Sequence, residues 1–433
     1  MSERRSAAGG WTIVALLFLF MLINFADKAV VGLASVPIMH DLQLSPKQFG
    51  LIGSGFFLLF PLSAVVVGFA VNRVRTRWAL LAMGLVWALT QFPMLGSIGF
   101  GAMLACRVAL GAGEGPAYPV ALHATYKWFP NEARTLPTAV VAQGGGVGIL
   151  VALPALNWVI VHYSWHWAFG ALGAAGLLWT ALWLLFGREG ALDDAAPRPG
   201  EAPSARLPYG RLLRNPTIVA SWCAVFGAYW GLSLALTWQA AFMIKGLGLV
   251  QGKIGLLSAL PPAVSVVVVI AGGWLSQRLL GRGASSRSAR GIFGGACVVA
   301  GGIALLVMPA MPTIWLKIAM TTLGVALPSV IYVVSPAVVG EITPLAQRGA
   351  LLAIGTAIGT TAGLLSPYVM GSIIEGAATP LAGFNTGYRV CGAIMLLGGI
   401  IGAAVMNPER EAERLAAVDL RRTSRLAGEA TDG

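Results

Sequence analysis

Four ionisable residues stand inside otherwise apolar runs: Asp27 and Lys28 near the N-terminus, and Arg107 and Glu114 further along. A charged side chain at membrane depth costs roughly 2.5–3.5 kcal/mol on insertion scales, so each is a functional candidate by default. Arg107 and Glu114 are about two helical turns apart and share one helix face, whereas the adjacent Asp27 and Lys28 point about 100° apart. Two acids and two bases can neutralise one another. Burial and a neighbouring cation pull a carboxylate's proton affinity in opposite directions, so a carboxylate held between them can take up and release a proton. That is the chemistry of proton-coupled anion uptake. The competing reading is an interhelical ion-pair set that fixes the packing of the first and fourth helices.

The elements that must position these charges follow from composition. The chain has 433 residues, 57% hydrophobic and 11% charged, with mean hydropathy +0.78. Soluble domains carry about 25% charged residues, so too few are present here to clothe soluble cores of this total length. Apolar runs fall near Trp11–Ile38, Phe49–Val71, Trp78–Ser97, Gly101–Tyr118, Pro137–Val161 and Trp167–Phe186. A second set follows near Ile218–Ile244, Ile254–Leu279, Gly291–Pro309, Ile314–Val339, Ala350–Ile374 and Tyr388–Met406. The expected fold is all-α integral membrane, with about twelve transmembrane helices in two pseudo-symmetric six-helix halves. The halves are residues 1–187 and 217–406, joined by a hydrophilic cytoplasmic loop, 188–216, and followed by a cytoplasmic tail, 407–433.

The net charge of +12 is distributed in a way that argues against nucleic acid as a partner. Lys47, Lys245, Lys253, Lys317 and Arg389 are the only cations in one set of alternate loops; apart from Lys28 and Arg107, all others lie in the opposite set and the tails. That asymmetry places both termini in the cytoplasm of a multi-pass inner-membrane protein. The first helix is expected to be retained, since Asp27 and Lys28 interrupt the run where a signal peptide would end.

No cofactor, metal or enzyme constellation is expected. The four cysteines are scattered singly, and His162 and His166 flank aromatic residues at a membrane edge instead of forming a metal pair. Gly111–Gly115 lies in a membrane helix with no strand before it, so it serves helix packing and not a dinucleotide. An internal repeat supports the two halves. Gly68, Asn72, Arg73 and Arg77 recur at identical offsets as Gly273, Gln277, Arg278 and Arg282. Each copy follows the second helix of its half, and Gly68, Arg73, Arg77, Gly273, Arg278 and Arg282 are expected to act in gating, with arginines latching carbonyls or acids.

Two six-helix halves, a long central loop and this repeated motif resemble the major facilitator superfamily, although its usual acid is replaced by Asn72 and Gln277. Within it, Asn24-Phe25-Ala26-Asp27-Lys28 resembles the first-helix motif of the anion:cation symporter family. Arg107 with Gly111–Gly115, Pro119 and Trp128-Phe129-Pro130 resembles that family's fourth helix, and Trp165-His166-Trp167 its approach to the sixth. The resemblance implies that Asp27 and Glu114 carry protons, Lys28 meets a substrate carboxylate and Arg107 regulates the acids. It also implies substrate contacts at Phe60, Gln143, Ser335, Thr356 and Thr360, for which ordinary packing and interhelical hydrogen bonds are the alternative.

The expected function is import of a small organic anion together with protons, by a lipid-embedded monomer using alternating access. Phe25 and Phe60 stand where sugar-acid permeases of this family offer phenols, and Thr356 and Thr360 replace amides. An aromatic or short aliphatic carboxylate is therefore expected ahead of a polyhydroxylated sugar acid. A permease specific for a sugar acid and a proton-driven efflux antiporter are the alternatives.

Overall fold

A computed structural model describes residues 2–71, 74–130, 133–192 and 207–414. Among the described residues, eleven helices are long and apolar enough to cross a membrane: Gly9–Leu33, Pro46–Gly68, Thr76–Leu95, Thr135–His162, Trp165–Phe186, Pro216–Gly246, Gln251–Gly281, Arg287–Ala310, Ile314–Ile342, Gln347–Glu375 and Pro380–Val405. The fourth helix of the bundle completes the set in two pieces, Phe100–Glu114 and Ala117–Tyr126. It breaks at Gly115-Pro116, because a proline has no N–H to continue the ladder. The expected all-α architecture of two pseudo-symmetric six-helix halves is the observed one.

Side-chain caps start the second, seventh and twelfth helices at Pro46, Pro216 and Pro380, the last of these eight residues before the expected Tyr388. Ser45 and Gln48 form a capping box around Pro46. Asn215 accepts from the N–H groups of Thr217 (3.0 Å) and Ile218 (3.2 Å), and Thr379 accepts from Ala382 N–H. Each cap satisfies N–H groups that a helix start leaves unpaired. Inside each half, small residues bring backbones together, which is the main packing resource where no hydrophobic effect separates helix from lipid. Gly144 and Gly148 of the fifth helix lie against the backbone of Phe18 and Leu22 in the first. Gly295 and Gly399 meet the ninth and twelfth helices' opposing backbones in the second half.

The halves are joined at the end of the bundle away from the N-terminus and the central loop. There the Glu375 carboxylate accepts from Ser45 Oγ (2.5 Å) and Lys47 N–H (3.0 Å), so the end of the eleventh helix caps the start of the second. Gln251 Nε2 donates to Asn157 Oδ1 (2.8 Å) and to Leu33 O (3.2 Å), while Asn157 Nδ2 donates to Gln251 O (3.0 Å). Nearby, Asp41 accepts from Trp165 Nε1 at 2.7 Å. Hydrogen bonds with His40 and from Trp165 hold its carboxyl below the usual carboxylate range.

Glycines set how close the halves come at this end. A Cβ on Gly32 would strike the Leu236 carbonyl, one on Gly50 the Pro367 carbonyl, and one on Gly371 the Pro46 carbonyl. Each pair belongs to opposite halves, so closure is backbone against backbone. Gly32→Val should therefore disfavour the sealed state. A cysteine placed at Ser54, buried in the parent, should then react with a membrane-impermeant maleimide roughly tenfold faster, a shift of about 1.4 kcal/mol. Unchanged labelling would show that the seal does not depend on this approach.

Candidate functional site

The charged residues foreseen in the sequence converge in the first half. Lys28 and Asp27 lie on the first helix, Arg107 and Glu114 on the first piece of the fourth; Asp27 and Glu114 are each about 1% exposed. Lys28 Nζ approaches Glu114 Oε2 to 3.4 Å and donates to Asn24 Oδ1 at 2.6 Å, one turn earlier on its own helix. The Phe25 and Phe60 rings flank the ammonium at 4.5 and 5.3 Å from their centroids. Aromatic faces favour a cation, and here they replace water around it.

Arg107 does not take the acid that shares its helix face. Its Nη1 donates to the backbone carbonyl of Asp27 at 3.2 Å, and its guanidinium lies over Phe56 at 4.9 Å. The Asp27 carboxylate makes no hydrogen bond within the protein and lies beside Gln91 of the third helix. Asp27 and Lys28 thus serve different neighbours, as their angular separation requires. A void of about 10 Å³ touches both Lys28 and Arg107, enough space for about one water molecule.

Beyond the Phe25 ring lies a chamber of about 320 Å³ between the halves. Its first-half wall includes Phe25, Gln143 and Gly146; its second-half wall includes Leu236, Gln239, Ser258, Ser265 and Tyr332. Among the expected contact residues, Gln143 lines this chamber and Phe60 lies against Lys28. Ser335 instead donates to Ser221 Oγ at 3.3 Å, tying the tenth helix to the seventh. The hydroxyls of Thr356 and Thr360 return to the carbonyls of Leu352 and Ala357 on their own helix. None of these three hydroxyl residues lines the chamber. The polar groups of the second-half wall, Gln239, Ser258, Ser265 and Tyr332, were not foreseen. In sequence each is a polar residue between two apolar neighbours, the same signal that interhelical bonding produces.

The repeated basic loops lie at the opposite end from the seal. Gly68 and Gly273 have no neighbour where a side chain would begin. Arg77 Nη2 donates to Leu184 O at 3.0 Å, linking the third and sixth helices of one half. Arg278 lies over Trp274, and the Arg282 N–H closes the eighth helix on Arg278 O. Arg73 and Asn72 lie outside the described residues, as do most of the central loop and residues 415–433. The acid that organises this end in the first half is Glu189, which accepts from Thr76, from the Arg77 N–H and from Lys127 Nζ. Burial opposes its ionisation, but these donors outweigh burial and hold its carboxyl below the usual range. In the second half Glu341 does the corresponding work with Ser286 and Arg290.

The sequence model of the Major Facilitator Superfamily matches residues 16–367. A hexuronate transporter of Bacillus subtilis is 26% identical over 269 residues, 61% of this chain and 64% of its own. A protein of Cupriavidus necator named as a probable sulfoacetate transporter, SauU, is 26% identical over 92% of this chain and 93% of its own. Across several plant and bacterial relatives the chain spans only 50 to 64% of the other protein's length. The crystal structure of a bacterial homologue of the human lysosomal transporter Spinster, inward-facing and unoccupied, superposes with TM-score 0.74 at 18% identity. That overlap covers 93% of this chain and 98% of the other, and it speaks for the fold. Since the superfamily match runs through both halves and most of the chain, this membrane transporter belongs to the Major Facilitator Superfamily.

Proposed function

We propose that the protein imports a small organic anion together with protons, by alternating access between its two halves. The observation that carries this reading is the buried Lys28–Glu114 contact at 3.4 Å. With no anion bound, Lys28 neutralises Glu114. An incoming carboxylate needs the same cation, and two buried anions on one cation would leave one of them uncompensated, at a cost of several kcal/mol. Protonation of Glu114 removes that conflict and releases Lys28 to the substrate. Proton and anion then bind together, and the pair crosses with the site's charge unchanged. Asp27 is the second protonation site, and Arg107 tunes both acids from its position on the Asp27 backbone carbonyl.

With the basic loops and termini taken as cytoplasmic, the seal at Glu375, Asn157 and Gln251 closes the outer face. The substrate expectation shifts from the one based on sequence. A relative named as a hexuronate transporter and the polar groups of the second-half wall favour a sugar acid over an aromatic one. The name of the Cupriavidus relative keeps a short acid as the second reading.

The test is uptake into proteoliposomes driven by an acid-outside pH gradient. D-Glucuronate should accumulate and should be competed by related sugar acids more strongly than by benzoate. A gradient that drives no accumulation of glucuronate, sulfoacetate or benzoate removes the proposal. Efflux of hydrophobic cations under the same gradient would support an antiporter in its place.

A further inference from the structure

Three buried polar atoms of the second half lie on the wall of one cavity without a partner. Gln239 Nε2 on the seventh helix, Ser258 Oγ on the eighth and Tyr332 Oη on the tenth have no hydrogen-bond partner in the protein. All three residues line the 320 Å³ chamber. Of the hydroxyls on the seventh and tenth helices that do not face the chamber, Thr322 is likewise unpaired, but others are satisfied locally. Ser221 donates to Ile218 O, Ser233 to Trp230 O and Ser329 to Ala326 O. Buried polar groups are rarely left unpaired, and a cluster of them on one cavity wall is best explained by a ligand that completes them.

The rest of the wall says what that ligand is. No Asp, Glu, Lys, Arg or His lines the chamber, so a second charge would be buried without a counter-ion. Lys28 stands 4.5 Å from the centroid of the Phe25 ring, which lines the chamber. From Lys28, ring contacts run Phe60 to Phe57 (6.0 Å), Phe57 to Tyr229 (5.8 Å) and Tyr229 to Tyr332 (6.3 Å). This aromatic chain joins the cationic side of the site to the donor wall and fixes the Tyr332 ring. The volume lies at the small end of the roughly 300–1,000 Å³ typical of ligand pockets.

We infer that Gln239, Ser258 and Tyr332 form a neutral donor subsite. It takes the uncharged, oxygen-bearing body of a singly charged acid and discriminates against doubly charged ones. The inference rests on Lys28 as the carboxylate anchor, the reading proposed above. It assigns the second-half contacts to these three residues and not to Ser335, Thr356 or Thr360.

The test is calorimetric binding to the purified full chain with three probes: D-glucuronate (one charge, several hydroxyls), hexanoate (one charge, none) and sulfoacetate (two charges, none). The parent should bind glucuronate at least about tenfold tighter than either other acid. Tyr332→Phe and Ser258→Ala, which remove a hydroxyl with little change in shape, should each weaken glucuronate roughly tenfold, or about 1.4 kcal/mol, and leave hexanoate unchanged. Unaltered glucuronate binding in both variants overturns the subsite, as does a parent that prefers sulfoacetate. Lys28→Ala separates the two claims. If it keeps glucuronate binding while Tyr332→Phe loses it, the anchor fails and the subsite stands. Binding of none of the probes to the parent overturns both.

Discussion

Glu114→Gln should abolish proton-driven accumulation and leave exchange of substrate across the membrane largely intact. The glutamine keeps the size of the side chain and an oxygen facing Lys28, but it holds no exchangeable acid proton. In exchange the site never has to empty, so a permanently neutral residue 114 suffices. In net uptake the carrier must return without substrate, and then Lys28 needs the anionic Glu114 that lies 3.4 Å away. Without it the return step carries an unpaired buried ammonium, and accumulation should fall to simple equilibration. The measurement is pH-driven uptake and counterflow in proteoliposomes, side by side. PH-driven uptake at the parent rate in this variant would refute the coupling role. Asp27→Asn should also lose accumulation and keep exchange, because the Asp27 side chain is not the partner of Lys28 and only its backbone carbonyl holds Arg107.

Lys28→Ala should lose substrate binding by roughly a hundredfold or more, about 3 kcal/mol, the scale of leaving a buried carboxylate without its charged partner. The same change strands Glu114, so some loss of stability is expected with it. Lys28→Ala combined with Glu114→Gln removes both charges and should recover that stability without recovering binding. That contrast separates an anchoring lysine from one that only packs. Lys28→Arg should bind with altered selectivity, since a planar fork between Phe25 and Phe60 presents its donors differently from a point charge. If Lys28→Ala binds glucuronate as tightly as the parent, the carboxylate partner lies elsewhere, and Arg107 becomes the next residue to remove.

Apolar run length and the internal repeat made the architecture legible, because the membrane imposes element length and composition directly. The four intramembrane charges were legible for the same reason. Their pairing was not. Helical period places Arg107 and Glu114 on one face, yet the structure gives Glu114 to Lys28 and Arg107 to a carbonyl. Which residues meet across two helices depends on rotation and depth, and neither leaves a trace in a single helix's pattern. Thr356 and Thr360 looked like substrate contacts by their position, but a threonine hydroxyl is easily satisfied by its own helix, as both are. Gln239, Ser258 and Tyr332 were passed over for the converse reason: a lone polar residue among apolar ones reads as packing until a cavity is seen beside it. The expectation of a poorly hydroxylated substrate came from counting only Phe25, Phe60 and the eleventh-helix threonines. It left out the polar groups of the opposite wall, Gln239, Ser258, Ser265 and Tyr332.

The contacts of Gly32, Gly50 and Gly371 with carbonyls of the opposite half bear on how this carrier can be engineered. Replacing glycine by alanine inside a helix ordinarily raises stability by up to about 1 kcal/mol, and such changes are a standard route to hardier proteins. At these three sites the added methyl would wedge the two halves apart where they meet. A heat-tolerant variant selected there would gain its melting temperature by resting in a single conformation, with turnover lost in the same step. Stabilising substitutions that preserve transport should instead be sought on the lipid-facing surfaces of the helices, where neither half meets the other.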